Sequence, residues 1–155
     1  MNSRIYNYSI HLLARQDYSE FKLRRKLRSK KDNLPHEVEE VLAALKEKGL
    51  LKEEAYRRLF IRKWMMKGES EQKIRQRGGM EKLEFGPLEF EAVELELGFT
   101  DGESLEKLIH KKLRSKEIPT DYKEKSKLRD KVLRFLISKG HSYDDSRKAL
   151  KEFQL

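Results

Sequence analysis

Large apolar residues recur every three or four positions along most of this 155-residue chain, and charged residues fill the positions between them. Ile5, Tyr8 and Leu12 show this spacing in the first segment, and Val38 and Leu42 show it further along. Residues three or four apart share one face of an α-helix, so the pattern predicts amphipathic helices. It does so from one end of the chain to the other, and no segment requires a sheet.

Capping and breaking residues divide this pattern into separate helices. Asp and Ser favour helix starts, Pro suits a first turn, and Gly accommodates the left-handed conformation that ends a helix. With these signals we predict nine helices: Ser3–Arg15, a basic helix opened by Asp17 and Ser19, one from Pro35 to Gly49, Glu53–Met66, Glu69–Arg77, one near Pro87, Glu103–Arg114, Asp121–Lys139, and one capped by Ser142 or Asp144.

A helix end recurs along the chain. LKEKGLLKEE (Leu45–Glu54) and ELELGFTDGE (Glu94–Glu103) share a helix end, a glycine, a large apolar residue and a final Glu. Gly49 and Gly98 stand 49 residues apart, and a third unit of this length would end near residue 147. Self-similarity at such a period is typical of tandem repeats. The sequence therefore predicts an all-α fold of three tandem three-helix repeats, 1–50, 51–101 and 102–155, in an elongated, curved arrangement.

The segment from Leu88 to Leu97 carries two conflicting patterns. Its glutamates alternate with apolar residues, and an alternation of period two is typical of a strand. The repeat instead predicts a helix here, with Leu88, Val93, Leu95 and Leu97 as its apolar positions. We favour the helix.

Composition narrows the possible classes of protein. Charged residues make up 41% of the chain and hydrophobic residues 37%, which suits small helical modules better than one large core. The absence of cysteine excludes disulfides and thiolate metal sites. The first ten residues lack the apolar stretch of a signal peptide, and no run approaches the about 18 apolar residues of a membrane span. We expect a soluble, cytoplasmic protein that does not contact a membrane.

The net charge of +9 is unevenly distributed. Residues 81–106 carry 1 Lys and 9 Asp or Glu, whereas the segments on both sides are basic. Such asymmetry indicates an electrostatic partner, either nucleic acid or an acidic protein complex. The alternative is a set of solvated helix faces, and the acidic run then serves as a solvated face or as an intramolecular partner of the basic helices.

Candidate catalytic chemistry is absent from the sequence. The four histidines are scattered, no glycine-rich phosphate loop occurs, and the serines lie among charges without a matched base. We therefore expect no enzyme activity, no cofactor and no metal site. The cluster of Trp64, Met65 and Met66 would form either an exposed contact patch or core, and helical spacing favours core.

Three stretches of the sequence resemble the RecX family, the regulators of the RecA recombinase. They are YNYSIHLLARQDYSEFKLRRKL (Tyr6–Leu27), VEEVLAALKEKGLLKEEAYRRLFIR (Val38–Arg62) and LRFLISKGHSYDDSRKAL (Leu133–Leu150). Three tandem three-helix units are also this family's fold. The sequence departs from the family pattern at Lys52, in GESEQKIRQRGG, and in the unusually acidic stretch Glu81–Gly98.

The resemblance implies a regulator without an active site. RecX-like proteins lodge in the helical groove of the RecA–DNA filament and bridge neighbouring protomers. They hinder filament growth, promote disassembly, and reduce ATP hydrolysis, strand exchange and repressor cleavage by RecA. The expected partners are thus RecA and its filament on single-stranded DNA, with at most weak direct contact to DNA, and the chain is expected to act as a monomer.

Exposed cations are the predicted contact residues. Charge and presumed helical face select Arg24, Arg25, Arg28, Lys31, Arg57, Arg58, Arg62, Arg75, Arg77, Lys111, Lys112 and Arg114. The same cations fit two other interpretations: a basic helical module that binds DNA or RNA independently of RecA, and a helical scaffold for another acidic protein.

Overall fold

The computed structural model describes all residues, 1–155, and contains nine α-helices and no strand. The helices are α1 (Ser3–Arg15), α2 (Glu20–Arg28), α3 (Pro35–Glu47), α4 (Glu53–Met66), α5 (Glu71–Gly79), α6 (Pro87–Leu97), α7 (Asp101–Leu113), α8 (Tyr122–Ser138) and α9 (Tyr143–Glu152). The all-α class is confirmed, as is the helix over the disputed glutamate-rich segment. None of the helices combines the length and apolar character needed to cross a bilayer.

The helix boundaries follow local capping chemistry. The side chains of Ser19, Asp121 and Ser142 each accept a hydrogen bond from a backbone N–H in the first turn of α2, α8 and α9. Thr100 and Glu103 form a reciprocal capping box at the start of α7. Gly98 ends α6 in the left-handed conformation, with φ of 77°, as its place in the repeat predicts.

The chain divides into two compact units. Unit 1 comprises Met1–Phe60 and Gly78–Glu84, and unit 2 comprises Ile61–Arg77 and Phe85–Leu155. The unit boundaries pass through α4 and α5, inside the middle predicted repeat. The boundaries of the three repeats at 1–50, 51–101 and 102–155 stay a prediction.

Unit 1 has a core formed by α1, α2 and α3, each of which packs against the other two. The same apolar stripes that predicted the helices are buried there: Ile5, Leu12, Leu23, Leu27, Val38, Val41, Leu42, Leu45 and Leu51. Full burial of one such side chain contributes about 1.5–3 kcal/mol, so these residues are the main source of stability in unit 1.

Unit 2 has a second core, in which α7, α8 and α9 pack against one another. Its buried residues are Leu105, Leu108, Ile109, Val132, Leu133, Leu136, Leu150 and Leu155. The start of α5 is hydrogen-bonded to the turn between α8 and α9: the Ser70 hydroxyl donates to the Gly140 carbonyl (2.7 Å), and the Ser70 backbone N–H donates to that of Lys139 (2.9 Å).

Several large apolar residues of the helices lie at the surface. Leu88 and Leu95 on α6 are 74% and 84% exposed, and Leu59 and Ile137 are also exposed. Of the predicted Trp64–Met66 cluster, Met65 is buried, Trp64 is half-buried and Met66 is exposed. The period of a helix identifies an apolar stripe but does not say which stripe another helix covers.

Candidate functional site: the basic helices

The structure distributes the twelve predicted cations over both units. Unit 1 carries Arg24, Arg25, Arg28, Lys31, Arg57 and Arg58, and unit 2 carries Arg62, Arg75, Arg77, Lys111, Lys112 and Arg114. Six of the twelve are exposed, namely Arg25, Arg28, Lys31, Arg58, Lys111 and Arg114. Arg24, Arg57, Arg62, Arg75, Arg77 and Lys112 are only partly exposed.

Arg24 on α2 forms an ion-pair network inside unit 1. Its guanidinium donates two hydrogen bonds to Glu39 on α3, at 2.7 and 3.1 Å, and a third to Glu20 at 2.8 Å. Arg28 donates to the same Glu39 carboxylate at 2.7 Å. The hydrogen bond from Arg24 lowers the pKa of Glu39, and the carboxylate in turn raises the pKa of Arg24. Arg24 therefore joins α2 to α3.

The outward side of α2 combines an aromatic ring with guanidinium groups. Phe21 is half-buried and lines a shallow groove of about 400 Å³ with Arg24, Arg25, Arg28 and Ser29. Arg25 projects from this groove without an ion pair. Guanidinium groups bind carboxylates and phosphates in a bidentate manner, so this surface suits either anion.

Two arginines of α5 also make contacts within unit 2. Arg77 donates to both oxygens of the buried Glu69 carboxylate at 2.6 Å, and its guanidinium lies 3.8 Å from the Trp64 ring centroid. Arg75 donates to Glu71 at 2.8 Å and to the Phe85 carbonyl at 2.6 Å. These contacts give both arginines a role in holding α5.

Two of the predicted arginines of α4 form ion pairs near the surface. Arg58 lies 3.6 Å from Glu54, one turn earlier on the same helix, and Arg62 pairs with Glu96 on α6. Exposed pairs of this kind contribute about 0–1 kcal/mol, so they break readily when a stronger anion approaches.

Lys112 on α7, Lys116 in the loop that follows and Lys131 on α8 form a lysine cluster in unit 2. The Lys112 ammonium is 4.1 Å from the Phe135 ring centroid, and that of Lys139 is 5.7 Å from the same centroid. Lys131 and, less strongly, Lys112 lower the pKa of the nearby Lys116, because like charges disfavour the protonated ammonium. The cluster thus concentrates positive charge without a neutralising carboxylate among these neighbours.

Sequence reasoning missed Lys116 and Lys131. Lys112 and Lys116 are four residues apart, which gave a local signal, whereas Lys131 belongs to another helix and joins them only through the packing of α7 on α8. Among the predicted cations, Arg25, Lys31, Lys111 and Arg114 are exposed and form no ion pair. These four residues and the lysine cluster are the charges best able to meet an external anion.

The one buried histidine has a structural contact. Nε2 of His141 lies 2.9 Å from the Gly68 carbonyl oxygen. The tautomer with its proton on Nε2 donates a hydrogen bond to this oxygen. No group of three or more His, Asp or Glu side chains converges as a metal site.

Comparisons with known proteins come from sequence and from fold. No protein-family model matches the sequence. A regulatory protein RecX of Haemophilus influenzae (strain PittEE) is 26% identical over 147 residues, which cover 94% of this chain and 91% of the relative.

The fold comparison also finds RecX proteins. The structure is similar to the crystal structure of RecX from Lactobacillus salivarius, with a TM-score of 0.71, 20% identity, and coverage of 98% of this chain and 96% of the other. A second crystal structure, of a regulatory protein RecX, gives a TM-score of 0.69, 20% identity, and coverage of 96% and 71%. The relative is named a regulatory protein RecX, and the two solved structures, at 20% identity, show that this chain shares the fold of RecX proteins.

Proposed function

We propose that this chain is a negative regulator of RecA. It binds in the groove of RecA–single-stranded DNA filaments, limits their extension and promotes their disassembly. It thereby inhibits ATP hydrolysis, strand exchange and coprotease activity of RecA. The observation that carries the proposal is that a sequence match and a fold match, each over nearly the whole chain, agree on the same family. We place the protein in the cytoplasm as a monomer.

The charge distribution supports binding at several points. Both units present cations without ion pairs, Arg25 and Lys31 in unit 1 and Lys111 and Arg114 in unit 2. A filament offers the same acidic or phosphate groups at each repeat. Several modest contacts on one chain raise the effective concentration of each next contact, so binding is tight without any single strong site.

The contacts divide the predicted residues into two groups. The four unpaired cations are available to the filament, whereas Arg24 and Arg77 already serve carboxylates of their own unit. We therefore propose Arg25, Lys31, Lys111 and Arg114 as the first contact residues, and Lys112, which follows Lys111 on α7, as a further one.

RecA ATPase activity on single-stranded DNA, titrated with substoichiometric amounts of this protein, tests the proposal. The parent chain should inhibit at ratios well below one per RecA. A variant with Arg25, Lys31, Lys111 and Arg114 all changed to Glu should lose inhibition while keeping its helical circular dichroism. The matched control changes four other exposed lysines to Glu, with the same net charge: Lys52, Lys123, Lys148 and Lys151. Equal loss in both variants would refute the site, and no inhibition by the parent would refute the function.

Direct binding of nucleic acid is the second candidate function. The cluster of Lys112, Lys116 and Lys131 favours it, because crowded ammonium groups gain most from a phosphate that relieves their repulsion. Fluorescence anisotropy with naked single-stranded DNA should then show tight binding that falls steeply with salt. Weak binding at physiological salt beside tight binding to the filament would eliminate this candidate. A third interpretation is a scaffold for another acidic protein. A pull-down with RecA loaded on single-stranded DNA distinguishes it from the two candidate functions above.

A further inference from the structure

Helix α6 has two apolar sides. Phe90 and Val93 are buried in unit 2, whereas Leu88 and Leu95 are 74% and 84% exposed. Leu88, Ala92 and Leu95 follow one another at spacings of four and three residues, so they form a second stripe along the outside of the helix. At about 1.5 Å per residue the stripe spans about 10 Å.

Carboxylates flank this outer stripe. A groove of about 470 Å³ is lined by Leu95 and Phe99 together with Glu91, Glu94 and Glu103. Burial raises the pKa of Glu94, and the nearby charges of Glu71, Asp101 and Glu91 raise it further. Negative charge is thus concentrated where apolar surface is exposed.

Cations near α6 leave the stripe uncovered. Arg62 pairs with Glu96, and Arg75 stacks at 4.6 Å on Phe90, on the buried side of the helix. The Lys107 ammonium lies 3.7 Å from the Phe99 ring centroid, at the end of the groove. That contact shows that the Phe99 ring accepts an ammonium group.

We propose that the outer face of α6, formed by Leu88, Glu91, Ala92, Glu94 and Leu95, is a docking face for a positively charged amphipathic helix of a partner protein. The carboxylates repel phosphate groups, so this face does not bind nucleic acid or an anionic membrane. They attract lysine and arginine, and the two leucines can pack against the apolar side of such a partner helix. The docking face lies apart in sequence from the basic helices, and the inference goes beyond the proposed regulation of RecA.

The geometry favours a helix as the occupant. A partner with apolar residues at i, i+4 and i+7 presents a stripe of the same length and spacing as Leu88, Ala92 and Leu95. Lysine or arginine along one side of that stripe would meet Glu91 and Glu94, which are three residues apart on the same flank of α6. Charge fixes the orientation and speeds association, whereas leucine burial supplies most of the affinity.

The test uses a fluorescent 18-residue helical peptide of leucine and lysine, with its leucines on one face. Anisotropy should show saturable binding to the parent chain. Changing both Leu88 and Leu95 to Gln should weaken binding about tenfold or more, because burial of both side chains is lost. Leu59→Gln, at an exposed leucine of α4, is the matched control and should bind as the parent does.

Two further measurements separate charge attraction from docking. Glu91→Gln with Glu94→Gln should weaken binding severalfold and flatten its salt dependence. A peptide of identical composition, scrambled so that its leucines surround the helix, should bind at least about tenfold more weakly. Equal binding of the scrambled peptide, or unchanged binding by the double Leu→Gln variant, would overturn the proposal. Self-association of the parent chain that the double variant abolishes would assign the face to a second copy and also overturn it.

Discussion

Replacing Arg77 by Ala should destabilise unit 2 by about 3 kcal/mol, because it leaves the buried carboxylate of Glu69 without its ion-pair partner. Glu69 is 2% exposed, and Arg77 donates to both of its carboxylate oxygens at 2.6 Å. Breaking a buried pair by removing one partner costs about 3–5 kcal/mol. The Arg77 side chain is 37% exposed, so solvent already screens part of the pair and the lower end of that range applies.

Two companion variants separate the charge from the contact. Glu69→Gln keeps an acceptor for Arg77 and leaves the remaining cation in partial contact with water, so its cost should be about 1 kcal/mol. Changing both residues to Met removes both charges and keeps apolar volume beside Trp64, and it should cost less than about 1.5 kcal/mol. The difference between the double Met variant and Arg77→Ala then shows how much of the Arg77→Ala effect comes from the unpaired charge of Glu69.

Urea unfolding gives these free energies directly. Trp64 is the only tryptophan in the chain, and the guanidinium of Arg77 lies 3.8 Å from its ring, so its fluorescence reports on the perturbed site. Far-UV circular dichroism provides a second probe of the same transition. The reasoning fails if Arg77→Ala costs less than about 1 kcal/mol, or if the double Met variant is as unstable as the single Ala variant.

Three further predictions concern the backbone, a buried amide and pH. Gly68→Ala should cost about 2–4 kcal/mol in the same urea assay, since φ is +86° and the added Cβ would lie 2.7 Å from Cγ of Leu108. Gly98→Ala should cost only about 1 kcal/mol, because φ is +77° but the added Cβ would meet no other side chain within 4 Å. Asn33→Ala should cost about 1–2 kcal/mol in thermal unfolding, because the buried amide donates to the Leu27 carbonyl at 2.8 Å. Because the folded-state pKa of Glu39 lies below its ordinary value of 4.5, its stabilising effect is complete above that pH and is lost as pH falls through the folded pKa. As pH is lowered, the free energy of unfolding should therefore fall more steeply for the parent than for Glu39→Gln, and parallel curves would contradict this.

Most of the fold could be predicted from the sequence because its signals are local. Helical period, Ser19 and Ser142 as caps, and Gly98 as a stop act within a few residues of the helices they define. The outward side of α6 could not be predicted, because both of its sides are apolar and only tertiary packing decides which one is covered. Leu88 and Leu95 belong to the apolar positions of the predicted helix, and packing leaves both exposed.

The candidate site was predictable in composition but not in detail. Clusters of cations on α2, α5 and α7 are visible in the sequence. Their partners are not, because Arg24 finds Glu39 on another helix and Arg77 finds Glu69 eight residues away, before α5 begins. Long side chains choose among several nearby carboxylates only after the helices have packed, so sequence alone did not distinguish structural arginines from available ones.

The hydrogen bonds of Ser70 have a consequence for how the chain is synthesised. The start of α5 is secured by the turn at Lys139 and Gly140, about seventy residues downstream. Helices α1 to α3 can collapse as they leave the ribosome, since their contacts are close in sequence. The start of α5 cannot form these two hydrogen bonds until the α8–α9 turn has been translated. Nascent chains halted before that point are expected to be the ones that proteases cut and chaperones retain.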